Sequence, residues 1–283
     1  MLTPKPKLIA VIFQKIFAFI GIDYFLFRQK ITLFQNKTKK IIRKVFEAIN
    51  LDFFSKPSIL NMHEKILKYL SYSDGFFIEV GANNGFNQSN TYYLEKFRNW
   101  KGILIEGIPE LYQECLIERP QSAVVNCALV SEDFDQPYVT MTYSGLTSLV
   151  NGAFKNPKQE QIHIQKGAMT QGHLSCYEIE VSARTLTSIL DEYGVEEIDF
   201  FSLDVEGFEL SVLQGLDFNK YRPKYMLIET SFKKDVDDYI KDYYIEVEQL
   251  TVHDYLYQRK VESKIISSEL CLFVFPCLRN SIC

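Results

Sequence analysis

Apolar and polar positions alternate along the chain in a pattern that predicts strands and helices in turn. Short apolar runs that end at glycine or an acidic residue are typical of strands buried on both faces, and apolar residues at helical spacing lie between them. The predicted strands are Phe76–Val80, Gly102–Glu106, Ala123–Val130, Tyr138–Tyr143, Tyr177–Val181, Ile198–Asp204, Tyr225–Thr230, Tyr243–Leu250 and Glu269–Phe275. The predicted helices are Ile59–Leu70, Ser89–Phe97, Pro109–Glu118, Thr185–Tyr193 and Phe208–Gly215.

This alternation predicts an α/β fold with a doubly wound, mostly parallel sheet, because each helix carries the chain back to start a parallel strand. The last two predicted strands are expected to close one edge of the sheet in antiparallel pairing. The polar stretch Ser144–Cys176 interrupts the pattern and has no clear periodicity. A loop of that length within a domain is usually functional, or it hides an element. We expect residues 144–176 to form a lid or a substrate-binding segment.

Residues 1–57 form a separate, basic and apolar-rich extension that we expect to be helical, ahead of a main domain at 58–283. Leu8–Phe27 is long enough to cross a bilayer as a helix, but Gln14, Lys15 and Asp23 interrupt it, and charge at mid-membrane depth is costly. The basic stretch Arg28–Lys44 suits an anionic membrane surface. Three interpretations stay open: membrane-surface association through residues 1–44, packing on the domain or a partner chain, and a true span.

The charge distribution separates these two parts. The formal net charge of −5 divides into +8 for residues 1–60 and −13 for the remainder. The 47% apolar content excludes a disordered chain, and the acidic body makes nucleic acid an unexpected partner. The six cysteines form no CxxC pair, which indicates reduced thiols. We therefore expect a cytoplasmic protein, with peripheral attachment to the cytoplasmic face of a membrane as an alternative.

Ligands of doubly wound sheets bind at the carboxyl ends of the strands, so those positions carry the candidate chemistry. After the first strand, Gly81 and Gly85 permit a tight turn and a close approach of backbone N–H groups to a ligand. Their spacing differs from the dinucleotide pattern, and Glu79 would repel a pyrophosphate but suits a cationic ligand. At the end of the second strand, Glu106 is placed to accept both hydroxyls of a ribose.

Acidic residues also end the later strands. Asp204 and Glu206 follow the strand at Ile198–Asp204, and Glu229 lies in the next strand along the chain. Together with the two acids of the first strands, they are expected to converge on one edge of the sheet. Such a cluster suits a positively charged cofactor, a metal ion, or both.

Four stretches of the chain resemble the FkbM family of S-adenosylmethionine-dependent methyltransferases. They are FFIEVGANNGFNQSNTYYLEKFRNWKGILIEG, VVNCALVS, TLTSIL…IDFFSLDVEGFELSVLQGLDF and PKYMLIET, and they cover roughly Phe76 to Thr230. The resemblance implies the Rossmann-like class I methyltransferase fold with a seven-stranded sheet. The extension at residues 1–57 lies outside it.

The resemblance also implies the cofactor, S-adenosyl-L-methionine, and the residues that hold it. Those residues are Glu79, Gly81, Asn83, Gly85, Ser89, Asn90, Glu106, Asn126, Ala128 and Asp204. Glu79, Gly81 and Gly85 would hold the methionine moiety, Glu106 the ribose, and residues 126–128 would flank the adenine. Gly107 departs from the family, whose members often have proline after the acidic residue.

The implied reaction is methyl transfer to a hydroxyl of a sugar, a glycan or another small hydroxylated acceptor. Removal of the hydroxyl proton needs a base or an acidifying metal, and the candidate catalytic residues are Asp204, Glu206 and Glu229. Asp204 and Glu229 also resemble the magnesium ligands of catechol-type O-methyltransferases, so Mg²⁺ or another divalent cation is a second hypothesis. The alternative bases are His163, His173 and His253, and the turn Gly145–Ser148 resembles a family segment that touches substrate.

Two other classes of function remain as alternatives. A nicotinamide-dependent oxidoreductase has a similar sheet, but the chain lacks both G-x-G-x-x-G and a Tyr-x-x-x-Lys pair. A membrane-attached binding module without catalysis is the other alternative, and the intact set of strand-end acids argues against it.

Overall fold

The computed structural model describes residues 37–170 and 176–260 of the 283-residue chain. Residues 37–48 form a first helix, α1. The later helices are α2 (Met62–Leu67), α3 (Tyr92–Arg98), α4 (Pro109–Glu118), α5 (Pro157–Thr170), α6 (Leu186–Glu192), α7 (Glu209–Gln214) and α8 (Lys233–Ile240). The strands are β1 (Phe76–Val80), β2 (Lys101–Ile105), β3 (Ala123–Val125), β4 (Ala128–Leu129), β5 (Tyr138–Tyr143), β6 (Leu149–Val150), β7 (Tyr177–Arg184), β8 (Phe200–Leu203), β9 (Tyr225–Glu229), β10 (Tyr244–Gln249) and β11 (Asp254–Arg259).

Seven strands form the main sheet in the order β10-β11-β9-β8-β1-β2-β3. All pairs from β9 to β3 are parallel, and β11 is antiparallel to both of its neighbours. Alternate residues of β1 pack into different core layers: Phe77 lies with Trp100, whereas Ile78 and Val80 lie in the layer that contains Phe201. The continuous apolar runs therefore correspond to strands buried on both faces. The predicted doubly wound, mostly parallel sheet is confirmed.

A second sheet, β4-β7-β5-β6, lies beside the carboxyl edge of the first. The prediction of one strand over Ala123–Val130 is wrong, because β3 belongs to the main sheet and β4 to the second. The break between them falls at Asn126, whose side-chain amide donates to the carbonyl oxygens of Glu106 and Gly107 at 2.8 and 2.9 Å. This side chain holds the chain where it passes from one sheet to the other.

The antiparallel edge of the main sheet differs from the expectation in one strand. β10 matches the predicted strand Tyr243–Leu250, but its partner is β11, a segment for which no strand was predicted. The Thr251 hydroxyl bonds the Asp254 carboxylate within the short turn before β11. In β11, Asp254 lies opposite Glu229 of β9. The predicted strand Glu269–Phe275 lies outside the described residues.

The segment at residues 144–176 is not a structureless loop. It contains a 3₁₀ turn (Gly145–Thr147), β6 and the fourteen-residue α5. Helix α5 starts where the Asn156 side chain accepts the N–H of Lys158 at 3.0 Å and Pro157 occupies the first helical position. Gly167 of this helix packs against Thr147, with no room for a Cβ between them.

Two predicted helices are shorter than expected. The segment Ile59–Leu70 contains a 3₁₀ turn followed by α2, because Leu60 and Asn61 have φ values of 48° and 56°, which end one turn before the next begins. Helix α3 begins at Tyr92 instead of Ser89, since the Ser89 hydroxyl accepts the Tyr92 N–H at 3.0 Å and stands ahead of the first turn.

Helix α1 packs against the main domain through its basic side. The Nη2 atom of Arg43 donates to Oε1 of Glu118 at 2.6 Å, and the Nζ atoms of Lys40 and Lys44 lie 2.8 and 2.6 Å from the same carboxylate. Within the described ranges, no helix combines the length and apolar composition that crossing a bilayer requires. The apolar run Leu8–Phe27 lies outside the described residues.

Candidate active site

The turn after β1 brings backbone, not side chains, to the carboxyl edge of the sheet. Gly81 has a φ of +78°, and a Cβ at this position would overlap the carbonyl oxygen of Asp204. Its N–H donates to the carbonyl of Ile105 at 3.0 Å, which ties the turn to β2. Gly85 has the same φ of +78° and packs against Cys115 and Arg119. Both glycines are therefore required by a positive φ and a close approach.

The Glu79 carboxylate is buried and organises the segment before α3. It accepts the hydroxyls of Ser89 and Thr91 at 2.8 and 2.6 Å and the N–H of Asn90 at 2.8 Å. The Asn90 amide in turn donates to the hydroxyl of Ser202 at 3.1 Å. Glu79 thus fixes the position of Ser89 and Asn90, two other predicted cofactor residues.

Arg119 is fully buried beneath the same loop, and sequence reasoning missed it. Its Nε donates to Oε2 of Glu95 at 2.7 Å, its Nη1 to the carbonyl of Gly85 at 3.2 Å, and its Nη2 to the hydroxyl of Thr91 at 2.9 Å. In the sequence, an arginine just after a helix indicates a solvent-exposed cation that interacts with the C-terminal end of the helix dipole. Only the packing of α4 against the loop shows that it lies inside.

Glu106 binds the backbone of two turns. Its Oε2 accepts the N–H of Asn83 at 2.7 Å and its Oε1 accepts the N–H of Ile108 at 2.9 Å. Burial raises the pKa of Glu106 to about 7, although these backbone hydrogen bonds lower it. Because each carboxylate oxygen has two lone pairs, both oxygens keep capacity for a further donor.

Gly107 leaves space for a side chain from the second sheet. A Cβ at this position would lie 2.5 Å from Sδ of Met141 in β5. Met141, Cys127 and Ala128 line the same side of the pocket. The space beside Gly107 is therefore filled by Met141, which no local sequence pattern singled out.

These elements line one pocket that is partly open to solvent. The predicted site residues that line it are Glu79, Gly81, Asn83, Ser89, Asn90, Glu106, Ala128, Asp204 and Glu206. Three other predicted site residues do not line the pocket: Gly85, Asn126 and Glu229. The turn residues Gly145, Leu146 and Ser148 also face the pocket, which brings part of the 144–176 segment to it.

Asp204 and Glu229 form a hydrogen-bonded pair of carboxyl groups. Burial, followed by the nearby charges of Glu229, Glu206, Glu209 and Asp254, raises the pKa of Asp204 well above its usual range. Burial and Asp254 raise the pKa of Glu229 to about 7. Two carboxyl groups this close disfavour each other's ionisation in a low-dielectric site, so the first to ionise raises the pKa of the other.

Of the three predicted histidines, His163 reaches this region. Its Nε2 lies 3.0 Å from Oε2 of Glu206, which has a φ of 54°, and its ring contacts that of Phe154 at a centroid distance of 5.1 Å. The Glu206 carboxylate raises the pKa of His163. Helix α5 is thereby attached to the acidic strand end. His253 is exposed, and His173 lies outside the described residues.

The described ranges contain no group of three or more His, Cys, Asp or Glu side chains arranged to hold a metal ion. Asp204 and Glu229 face each other as a carboxyl pair and have no third ligand among those residues. The magnesium hypothesis therefore gains no support from this arrangement.

The order of the main sheet, the glycine turn after β1 and the acids at successive strand ends define a Rossmann-like methyltransferase fold. The profile of the methyltransferase FkbM domain matches residues 79–259, which is more than half of the chain. The chain belongs to the FkbM family of S-adenosylmethionine-dependent methyltransferases, as its resemblance predicted.

Individual relatives are distant. "Methyltransferase sdnD" of Sordaria araneosa is 27% identical over 161 residues, which span 51% of this chain and 61% of that protein. The crystal structure of methyltransferase FkbM from Methylobacillus flagellatus matches 66% of this chain and 43% of its own, with 16% identity and a TM-score of 0.38. A TehB-like SAM-dependent methyltransferase from Corynebacterium glutamicum matches 80% and 97%, with 7% identity and a TM-score of 0.36.

Proposed function

We propose that this protein is an S-adenosylmethionine-dependent O-methyltransferase that acts on a hydroxyl of a sugar, a glycan or another small hydroxylated acceptor. The observation that carries the proposal is the position of Asp204 and Glu229 at the ends of two adjacent strands beside the pocket, where burial raises the pKa of both carboxyls. An alcohol must lose its proton when its oxygen is methylated, and a base whose pKa lies near 7 is suited to receive it.

The residues of the pocket fit the cofactor that the family uses. Bound S-adenosylmethionine supplies a methyl group on a positively charged sulfur. Asp204 and Glu206 line the pocket and offer negative charge to that cation. The oxygens of Glu106 keep capacity for the ribose hydroxyls.

The proposed chemistry requires one proton acceptor. One S–C bond breaks and one C–O bond forms, and the proton of the acceptor hydroxyl passes to the ionised member of the Asp204–Glu229 pair before it leaves to solvent. Asp204, which lines the pocket, also holds the acceptor oxygen in line with the transferred methyl, and this alignment is the main determinant of rate in such a displacement. We place Glu206 beside this pair as an orienting carboxylate, held by His163.

The direct test has two stages. Calorimetry compares the binding of S-adenosylmethionine with that of NAD, and we expect only the sulfonium cofactor to bind. An acceptor screen with a methyl-labelled cofactor then covers free sugars, glycans, lipid-linked sugars and small phenols. Absence of binding at millimolar cofactor would refute the assignment, whereas binding without any transfer to the acceptors screened would favour the non-catalytic module.

A divalent cation at Asp204 and Glu229 is the alternative to a carboxylate base. Chelation separates the two, because a carboxyl pair that acts as a base needs no ion. We expect activity to persist after dialysis against EDTA. Loss of activity on chelation, restored by Mg²⁺, would replace the base with a metal-acidified hydroxyl.

We also propose that the outer side of α1 and the turn after it contact an anionic membrane. Large apolar side chains are exposed there, including Ile41 (65%), Ile49 (64%) and Phe53 (74%). Exposed Lys37 and Lys39 lie at the start of the same helix. The sequence that precedes it carries Lys5, Lys7, Lys15, Arg28 and Lys30. Apolar side chains next to cations complement a negatively charged lipid surface.

A further inference from the structure

Helix α1 contacts the back of the loop that lines the cofactor pocket. Arg43 is buried, with 4% of its surface exposed. Its guanidinium carbon lies 3.4 Å from the centroid of the Phe86 ring, while its Nη2 donates to Glu118. Contact at this distance over a ring face is a cation–π interaction, and it is strongest where water is excluded.

Phe86 lies in the middle of the loop at residues 81–90. Its N–H donates to Oδ1 of Asn84 at 3.2 Å, and its carbonyl accepts the N–H of Ser89 at 3.1 Å. Its neighbours Asn87 and Gln88 line the pocket. Its ring makes an edge-to-face contact with that of Tyr92 at a centroid distance of 4.9 Å. The ring is therefore held by Arg43 and Tyr92 together, and its position sets that of the loop.

Glu118 fixes where Arg43 can lie. Burial alone would raise the pKa of this carboxyl, but hydrogen bonds from Lys40 and Lys44 and the charge of Arg43 lower it to about 2. The next residue, Arg119, binds the same loop from inside through the carbonyl of Gly85. Glu118 and Arg119 are consecutive residues at the end of α4, and both hold the loop. Arg119 does so directly, and Glu118 does so through Arg43.

The loop needs this support because several of its residues have unusual backbone conformations. Positive φ values occur at Gly81 (78°), Asn83 (50°), Gly85 (78°) and Gln88 (60°). Such a segment has many competing conformations when it is unsupported. A cofactor that binds only one of them has an apparent affinity reduced by the fraction of molecules in that conformation.

We infer that Arg43 is a positioning residue for cofactor binding, so that α1, which precedes the matched region at residues 79–259, completes the methyltransferase site. Arg43 holds Phe86 and thereby keeps the loop in its binding conformation, without touching the cofactor itself. The inference rests on the proposed use of S-adenosylmethionine.

The test uses the full chain with Arg43→Ala and measures the dissociation constant for S-adenosylmethionine by calorimetry. We expect binding to weaken by roughly 3- to 30-fold, the range of a desolvated cation–π contact. At saturating cofactor, kcat should stay within about twofold, because the acid pair is untouched. Lys39→Ala is the matched control, since it removes the same charge from an exposed position of α1 and should leave affinity unchanged.

Phe86→Leu tests the same contact from its other side, so the inference stays testable if Arg43→Ala is unstable, and combining the two gives a double-mutant cycle. Phe86→Leu removes the ring and keeps an apolar side chain, and we expect the double variant to bind about as weakly as the weaker single variant. Wild-type affinity in folded Arg43→Ala, or fully additive effects in the cycle, would overturn the inference. If wild-type protein itself fails to bind the cofactor, the proposed function fails instead, so the two failures are distinguishable.

Discussion

Glu106, the residue that we propose to bind the ribose, has a carboxyl whose pKa lies near neutrality. Burial raises its pKa to about 7, so the carboxyl is largely protonated below that pH and ionised above it. Only the ionised form accepts hydrogen bonds at both oxygens while Asn83 and Ile108 are also bound. Its proposed role as the ribose ligand therefore predicts that the affinity for the cofactor depends on pH near neutrality.

We expect the affinity for S-adenosylmethionine to fall as the pH is lowered from 8 to 6, because protonation of Glu106 removes an acceptor. Glu106→Gln should cost about 1–3 kcal/mol of binding at pH 8 and weaken this dependence, since an amide does not titrate. Titration calorimetry at several pH values measures both effects. A wild-type dissociation constant that is unchanged over this range would contradict the assignment of the ribose to Glu106.

The Asp204–Glu229 pair predicts a second pH dependence, in catalysis. The base must be ionised to accept a proton, so kcat should rise with pH through an apparent pKa near 7, the value to which burial and Asp254 raise Glu229. Asp204→Asn and Glu229→Gln should each lower kcat by about 10²- to 10⁴-fold. Initial rates at saturating cofactor and acceptor give the profile.

Asp254→Asn offers a matched control for this pair. Asp254 lies opposite Glu229 in the sheet and is the second cause of its raised pKa, after burial. Removing its charge should move the rate profile to lower pH and leave the plateau intact. Two results would contradict this account of the pair. One is a rate profile that does not shift, and the other is a loss of plateau rate as large as in Glu229→Gln.

At the scale of single elements, one carboxylate, that of Glu118, contacts three basic side chains of α1. Because contacts with Lys40, Lys44 and Arg43 lower the pKa of Glu118 to about 2 despite its burial, its contribution to stability is present above its ordinary pKa of 4.5. It is lost as the pH falls from there toward 2, when the folded protein also takes up the proton. Attachment of α1 is therefore sensitive to this side chain.

Glu118→Gln should release α1 at neutral pH without unfolding the sheet. We expect trypsin to cut at Lys40, Arg43 or Lys44 several times faster in this variant. Glu114→Gln changes an exposed acid one turn earlier in α4 and serves as the control. Equal cleavage rates in the two variants would show that the ion pairs at Glu118 do not hold the helix.

Two features of the fold that the sequence did not predict, helix α5 and the break between β3 and β4, have different physical causes. Helix α5 carries few buried apolar residues, so its periodicity is weak, and only the Asn156-Pro157 start signalled it. The split between β3 and β4 depends on the Asn126 side chain, whose partners are distant in the sequence. Strands buried on both faces were predictable because continuous apolar runs follow from their environment.

The candidate site was predictable to a similar extent. The strand-end acids and the glycine turn follow from local sequence and fold topology, and the structure brings most of them to one pocket. Arg119, Met141 and Arg43 were not predictable, since each acts through a contact with an element remote in the chain. The binding and catalytic roles proposed for the site residues remain predictions, which the experiments described above test.

For the whole molecule, the division of charge has two consequences. Part of the positive charge of the extension is neutralised within the fold, because Lys40, Arg43 and Lys44 all contact Glu118. Part of the negative charge of the body surrounds the pocket, where it suits a cationic cofactor. Neither of these two consequences accounts for the exposed apolar side chains on the outer side of α1.

The proposed membrane contact predicts that the full chain binds vesicles containing anionic lipid, less tightly at high salt, and does not bind neutral vesicles. The double variant Ile49→Ser, Phe53→Ser should lower vesicle partitioning by roughly tenfold or more, because it removes apolar side chains that would enter the interface. Val252→Ser changes an equally exposed apolar residue (73%) in the β10–β11 turn and should have no effect.

Flotation measures partitioning, and size-exclusion chromatography measures the oligomeric state of each variant. If the double variant floats like wild type, residues 1–36 alone carry any membrane affinity; if it instead converts a dimer to a monomer, the apolar side of α1 binds a second copy of the chain.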